Sequence, residues 1–330
     1  MMRTMLRSGK VLGAACLGLV LSQCFTTVVS ALPQVVPSGL NQAHSHRVIY
    51  YYQTLTDLSP VIKNLNPVTR KPYPTDINLG AFHLGPQSDG TLLHLNDHPP
   101  NDPVYNTPWK QLAKLQSMGV KLHMMVGGAG CCSFKSLFGD WKKLYPVLKQ
   151  TLRNYHFNGV DLDIEESVAL SDAQRLIDQL SSDFGSRFLI TLAPVASDLK
   201  GGGGLSGFNY KDLYQAEGSK IAWFNTQFYS GFGSLASTSD YDSAISNGFP
   251  PDKVVAGMLG NLHDGGGYVE MNQVAKTVKQ LARKYTNFGG VFSWEYFDTL
   301  PGGTSNPGQW SQLMIQAMGS TQTPSSGRIS

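Results

Sequence analysis

In the stretch Asn158-Gly159-Val160-Asp161-Leu162-Asp163-Ile164-Glu165-Glu166, acids alternate with apolar residues. Extended backbone repeats every two residues, so Asp161, Asp163 and Glu165 share one face and Val160, Leu162 and Ile164 the other. Three carboxylates stacked in a dry interior lose hydration and repel one another, and at least one should then hold a proton near neutrality. A single acid at a strand end could cap the next helix. Three in register have no such use, and without partners they would destabilise the fold. The chemistry this spacing suits is general acid–base catalysis. Glu165, nearest the end of the run and long enough to reach a reacting atom, is the expected proton donor. Glu166 alternates to the opposite face and is expected to cap or pair.

Those acids need a scaffold, and the chain supplies eight short apolar runs: 48–52, 77–84, 121–126, 159–164, 188–193, 221–229, 254–259 and 290–294. Segments with helical spacing separate them, among them 109–118, 144–155, 171–184 and 271–285, and Ser171 with Gln174 resembles a capping box. Eight strands buried on both faces, alternating with helices in one domain, predict a (β/α)8 TIM-type barrel. An open doubly wound sheet would be expected to carry a phosphate-binding glycine fingerprint after its first strand, and none is seen there. A barrel places chemistry at the carboxyl ends of its strands. Glu165 closes the fourth run.

At the amino terminus, Arg3, Arg7 and Lys10 precede an apolar run that ends in small residues at Ala31, the pattern of a cleaved secretory signal peptide. Residues 1–31 are therefore expected to be a leader, 32–318 the catalytic barrel and 319–330 a flexible tail, with the mature protein secreted, monomeric and free of membrane. Without the three basic residues of the leader, the 26 basic residues drop into balance with the 23 acidic ones. That neutrality gives no footprint for nucleic acid. Of the four cysteines, Cys131 and Cys132 are adjacent, so a disulfide framework is not expected; the pair reads either as small buried residues or as a strained vicinal disulfide. Histidines and cysteines lack metal-site spacing, and neither metal nor cofactor is expected.

The acidic stretch resembles the DxxDxDxE motif of glycoside hydrolase family 18, the chitinase-like enzymes. Met125-Val126-Gly127-Gly128 stands where that family has its SxGG element, Gln227-Phe228-Tyr229-Ser230 where it has its strand-six tyrosine, and Trp294 where it has its strand-eight tryptophan. Residues 190–197, 225–233 and 294–297 look most like the secreted fungal endo-β-N-acetylglucosaminidases. Two positions depart from the pattern: Asn158 replaces the first acid, which could alter coupling down the column, and Met125 replaces the serine.

The resemblance implies substrate-assisted retention, in which the sugar's own 2-acetamido oxygen attacks the anomeric carbon. In that scheme Glu165 protonates the leaving oxygen, Asp163 orients the acetamido N–H, Asp161 supports Asp163, and Tyr229 positions the acetamido carbonyl. Gln227 would assist in binding, Trp294 would form the floor under the sugar, and Gly127 and Gly128 would leave room for it. The substrates implied are N-glycosylated proteins or oligosaccharides containing N-acetylglucosamine. An endochitinase of the same family is the alternative enzyme, and a non-catalytic sugar-binding barrel the alternative of another class.

Overall fold

The computed structural model describes residues 46–65, 73–130 and 132–319. The expected leader, Cys131 and the tail from 320 onwards lie outside them. Among the described residues, nine strands form one sheet: β1 Arg47–Tyr52, β2 Asp76–Leu84, β3 Leu93–Leu95, β4 Lys121–Gly127, β5 Gly159–Asp163, β6 Leu189–Leu192, β7 Ile221–Gln227, β8 Val254–Leu259 and β9 Gly290–Trp294. Eight of them run parallel in the order β1-β9-β8-β7-β6-β5-β4-β2, and pairing of β1 with β2 closes the ring. The chain is a (β/α)8 barrel. The short β3, absent from the sequence pattern, folds back antiparallel on the carboxyl end of β2.

The helices are α1 Ser59–Asn64, α2 Asn106–Ser117, α3 Ser133–Gly139, α4 Trp141–Asn154, α5 Leu170–Phe184, α6 Ala196–Lys200, α7 Tyr210–Glu217, α8 Ser239–Ser246, α9 Met271–Lys284 and α10 Gly308–Ala317. The capping box expected at Ser171 does not form. Helix α5 begins one residue earlier, with Ala169 at its cap and no side-chain cap bond, while Asp172 puts negative charge in the first turn, where the helix dipole favours it. Among the described residues no helix is long and apolar enough to cross a membrane. Cys132 is disulfide-bonded.

Each barrel strand is buried on both faces, which explains its near-continuous apolar character. On β1, Val48 and Tyr50 pack outward against the helices, while Ile49 and Tyr51 join Met125, Trp223, Val255 and Phe292 inside the ring. The tryptophans away from the strand ends serve packing: Trp310 is fully buried against Tyr50, and Trp109 stacks on Tyr155.

Interior space is filled by large residues facing small ones. Gly257 on β8 pairs with Phe292 on β9, and a Cβ at 257 would lie 2.0 Å from Phe292 Cζ. Phe292 therefore occupies the volume that a side chain at 257 would need. Gly257→Ala is expected to cost about 1–3 kcal/mol through overpacking, lowering the melting temperature by roughly 2–10 °C. Differential scanning calorimetry checks this, and an unchanged melting temperature would mean that the ring can yield.

Candidate active site

Asp161 and Asp163 lie on β5 and point into the barrel, and Glu165 follows two residues beyond the strand's end. The sixth apolar run also ends early as a strand, at Gln227, so that Phe228 and Tyr229 leave the sheet at its mouth. Neighbouring bonds fix the Glu165 backbone. Ile164 O accepts from Ser206 Oγ at 2.6 Å. Glu166, on the opposite face as alternation predicts, accepts from Phe134 N and Lys135 N at 2.7 and 3.1 Å, and so caps α3. Glu165 is thus held between two anchored residues, with its own side chain only half-buried.

At the foot of the column, Asp161 is fully buried and accepts three hydrogen bonds: from Tyr51 Oη at 2.6 Å, Thr191 Oγ1 at 2.5 Å and Asn225 Nδ2 at 2.8 Å. Burial raises its pKa above the ordinary carboxylate value, and these donors offset only part of that rise. Asp163 has less support. Burial, and then the charges of Glu165 and Asp161, push it well above the ordinary carboxylate range, so the column's proton belongs on Asp163.

Gln227 joins the two upper acids. Its Nε2 lies 3.2 Å from Asp163 Oδ1, 3.1 Å from Glu165 Oε1 and 3.0 Å from Ala193 O. The Ala193 carbonyl can only accept, so the nitrogen must face this group, and its two hydrogens are shared among the three oxygens. Tyr229 is buried near them, with its ring edge-on to Phe292 at 6.4 Å. Burial, then Asp163 and Glu165, raise its phenol pKa well above the ordinary value, which keeps it a neutral hydroxyl able to donate. Trp294 ends β9 half-exposed, 5.5 Å from the Tyr51 ring. Glu295 beside it accepts from Gln53 N, Thr54 N and Thr54 Oγ1, tying the β1 loop to the end of β9.

The two glycines differ. A Cβ on Gly128 would lie 3.5 Å from Asp163 Oδ2, so this residue borders the column. A Cβ on Gly127 would lie 2.3 Å from Asp163 O and 2.6 Å from Phe134, so protein packing already demands glycine there, at φ +96°. Met125 turns into the interior between Gly80 and Gly128. Asn158 is not part of the column: its Oδ1 accepts from Leu122 N at 2.9 Å and Gln116 Nε2 at 3.2 Å, at the amino-terminal end of β5. At three residues, or roughly 10 Å, from Asp161 it fastens neighbouring elements rather than coupling to the acids. Sequence reasoning missed Tyr51, Thr191 and Asn225. Asn225 had left a signal: together with Gln227 it places two amides on one face of an otherwise apolar run.

No protein-family model matches the chain. Among solved structures, it is 41% identical to a fungal endo-β-N-acetylglucosaminidase of glycosyl hydrolase family 18, covering 82% of this chain and 97% of that one, with TM-score 0.75. It is 39% identical to the chitinase ChiC from Aspergillus fumigatus, covering 83% and 100%, with TM-score 0.72. Among curated proteins, endochitinase 4 of Metarhizium robertsii is 25% identical over 235 residues, 58% of this chain and 68% of that protein.

The raised pKa of Asp163 has a stability consequence with a definite sign. A carboxyl whose folded pKa lies above its unfolded value favours the native state fully only below the unfolded pKa, and that contribution is lost as pH rises through the folded one. Asp163→Asn keeps the acceptor for Gln227 and cannot ionise. It is expected to melt higher than wild type at about pH 7.5 and close to wild type at about pH 4. Thermal melts at both pH values check this, and equal differences at the two would contradict it.

Proposed function

Because the chain belongs to glycosyl hydrolase family 18, we propose that it is a secreted, retaining endo-β-N-acetylglucosaminidase. Its reaction would be hydrolysis of the β-1,4 bond between the two core N-acetylglucosamines of N-glycans on glycoproteins. The observation that carries the reading is the Gln227 amide shared by Asp163 and Glu165 at the barrel mouth. One nitrogen within hydrogen-bond distance of both carboxyl groups keeps the bonded oxygens at most about 6.3 Å apart, which supports the short spacing of a retaining site over the roughly 6.5–9.5 Å carboxyl separation of an inverting pair. Asp163 holds a proton, and a protonated acid is a poor nucleophile, so the attacking oxygen is assigned to the substrate's 2-acetamido group.

In this mechanism the acetamido oxygen bonds to the anomeric carbon as the C1–O4 bond breaks, and Glu165 gives its proton to the departing O4. Asp163 accepts the acetamido N–H, and its own proton can pass towards Asp161. The Tyr229 hydroxyl holds the acetamido carbonyl in line. Trp294 offers an indole face to the sugar's C–H face. Glu165, now a carboxylate, then takes a proton from the water that attacks C1, and the net configuration is retained. The leader over 1–31 and the monomeric state belong to this reading.

An endochitinase is the second reading, favoured by the 39% identity to ChiC over nearly the same span. Both readings use the same acids, so the substrate must be tested directly. A high-mannose glycoprotein and a chitin oligomer, incubated separately with the mature protein and with its Glu165→Gln variant, are analysed by mass spectrometry. The expected outcome is glycan loss that leaves one N-acetylglucosamine on asparagine, at a rate reduced about 10²–10⁴-fold in the variant. Shortened chitin alone would assign a chitinase, and no product from either substrate would indicate a binding protein.

A further inference from the structure

Below the carboxylates, towards the amino-terminal floor of the barrel, lies a buried titratable pair that the proposed reaction does not use. His123 on β4 is fully buried, with its Nε2 2.8 Å from Asp76 Oδ1 on β2. Its ring meets Trp223 on β7 edge-on, at 5.5 Å between centroids. Trp223 Nε1 donates to Asn225 Oδ1 at 2.8 Å, and Asn225 Nδ2 donates to Asp161 Oδ1 at 2.8 Å. Contact is therefore continuous from Asp76 to Asp161. An indole N–H can only donate, so Asn225 must present its oxygen to Trp223 and its nitrogen to Asp161.

The charged and titratable groups around this chain can be named strand by strand. Asp161 faces Tyr51 on β1, His123 on β4, and Asp163 and Glu165 above it, with Thr191 and Asn225 as neutral donors from β6 and β7. His123 in turn faces Asp76, and the Arg47 guanidinium lies 4.2 Å from the centre of the Trp223 ring and attracts Asp76. Met125 pairs with Asp161, so His123 sits one interior layer lower on the adjacent strand, roughly 8 Å away. Its Nδ1, and both polar atoms of the neighbouring Asn78, make no hydrogen bond to described protein groups. A buried histidine–carboxylate pair stabilises a fold less than apolar filling of the same space would, so packing alone does not account for it.

We infer that His123, held by Asp76, is a positioning residue for the reaction. Its ring packs edge-on against Trp223, and the Trp223 N–H fixes the Asn225 amide with its nitrogen on Asp161, so that the foot of the column keeps its third donor. His123 touches neither substrate nor reacting atoms. The inference rests on the catalytic reading of Asp161, Asp163 and Glu165.

Two variants test it against the oligosaccharide that the wild type cleaves. His123→Gln can still bond to Asp76 but offers no ring to Trp223, and Trp223→Phe keeps a ring but loses the donor to Asn225. Each should leave KM within about twofold and lower kcat about tenfold on the acid side. Each should also move the acid limb of kcat/KM up by about one pH unit, because a less supported Asp161 ionises only at higher pH, tenfold per unit. Should His123→Gln fail to fold, the Trp223→Phe profile decides alone. An acid limb superimposed on that of wild type in a folded variant overturns the inference while leaving the catalytic reading intact, provided that Glu165→Gln is inactive. Hydrolysis retained in Glu165→Gln overturns both.

Discussion

Everything about the mouth of this barrel depends on how three carboxylates can share one dry column. Each ionised acid taken from water must find donors or give up its charge. The chain meets that constraint unequally: Asp161 receives three donors, Asp163 shares one amide with Glu165, and Glu165 reaches half into solvent. This gradient sets up a division of labour. The better-supported buried acid is the easier to ionise, the less supported one holds the proton more firmly, and the half-exposed one is open to a ligand or water. Adjacent positions with the same chemistry thus acquire different roles from their surroundings alone.

The same constraint explains which parts were legible in the sequence. The barrel follows from eight apolar runs because strands buried on both faces leave a strong mark, whatever side chains fill the interior. The acids were legible because alternation places Asp161, Asp163 and Glu165 on one face without reference to any other strand. Their partners were not. Tyr51 lies 110 residues from Asp161 in the chain and Asn225 lies 64, and only the pairing and register of the strands bring them together. A tyrosine within an apolar run reads equally well as packing. Gly127 shows the converse: adjacent to Gly128 in sequence, it answers to the backbone of Asp163 and the ring of Phe134.

Local rules were weakest at element ends. Helix α5 starts without the cap that Ser171 suggested, and two runs that looked like longer strands turn away after Asp163 and Gln227. At both places the residues released from the sheet, Glu165 and Tyr229, are those that reach the mouth. Strand pairing and site chemistry compete for the same few residues, and at the carboxyl ends of β5 and β7 the site takes precedence.

The seam where β1 meets β9 carries a consequence for assembly. The Glu295 bonds to Gln53 and Thr54 that reinforce it join residues 242 and 241 apart, whereas β5, β6 and β7 are neighbours in sequence and in space. Closing so long a loop costs little more free energy than closing a shorter one, since each doubling of length adds only about 0.6 kcal/mol, but distant contacts form slowly. Thr191 and Asn225 can thus reach Asp161 through local pairing, while the Tyr51 hydroxyl arrives from the far end of the chain. The acid column is finished by β1, so a fully satisfied Asp161 is also a sign that the ring has closed.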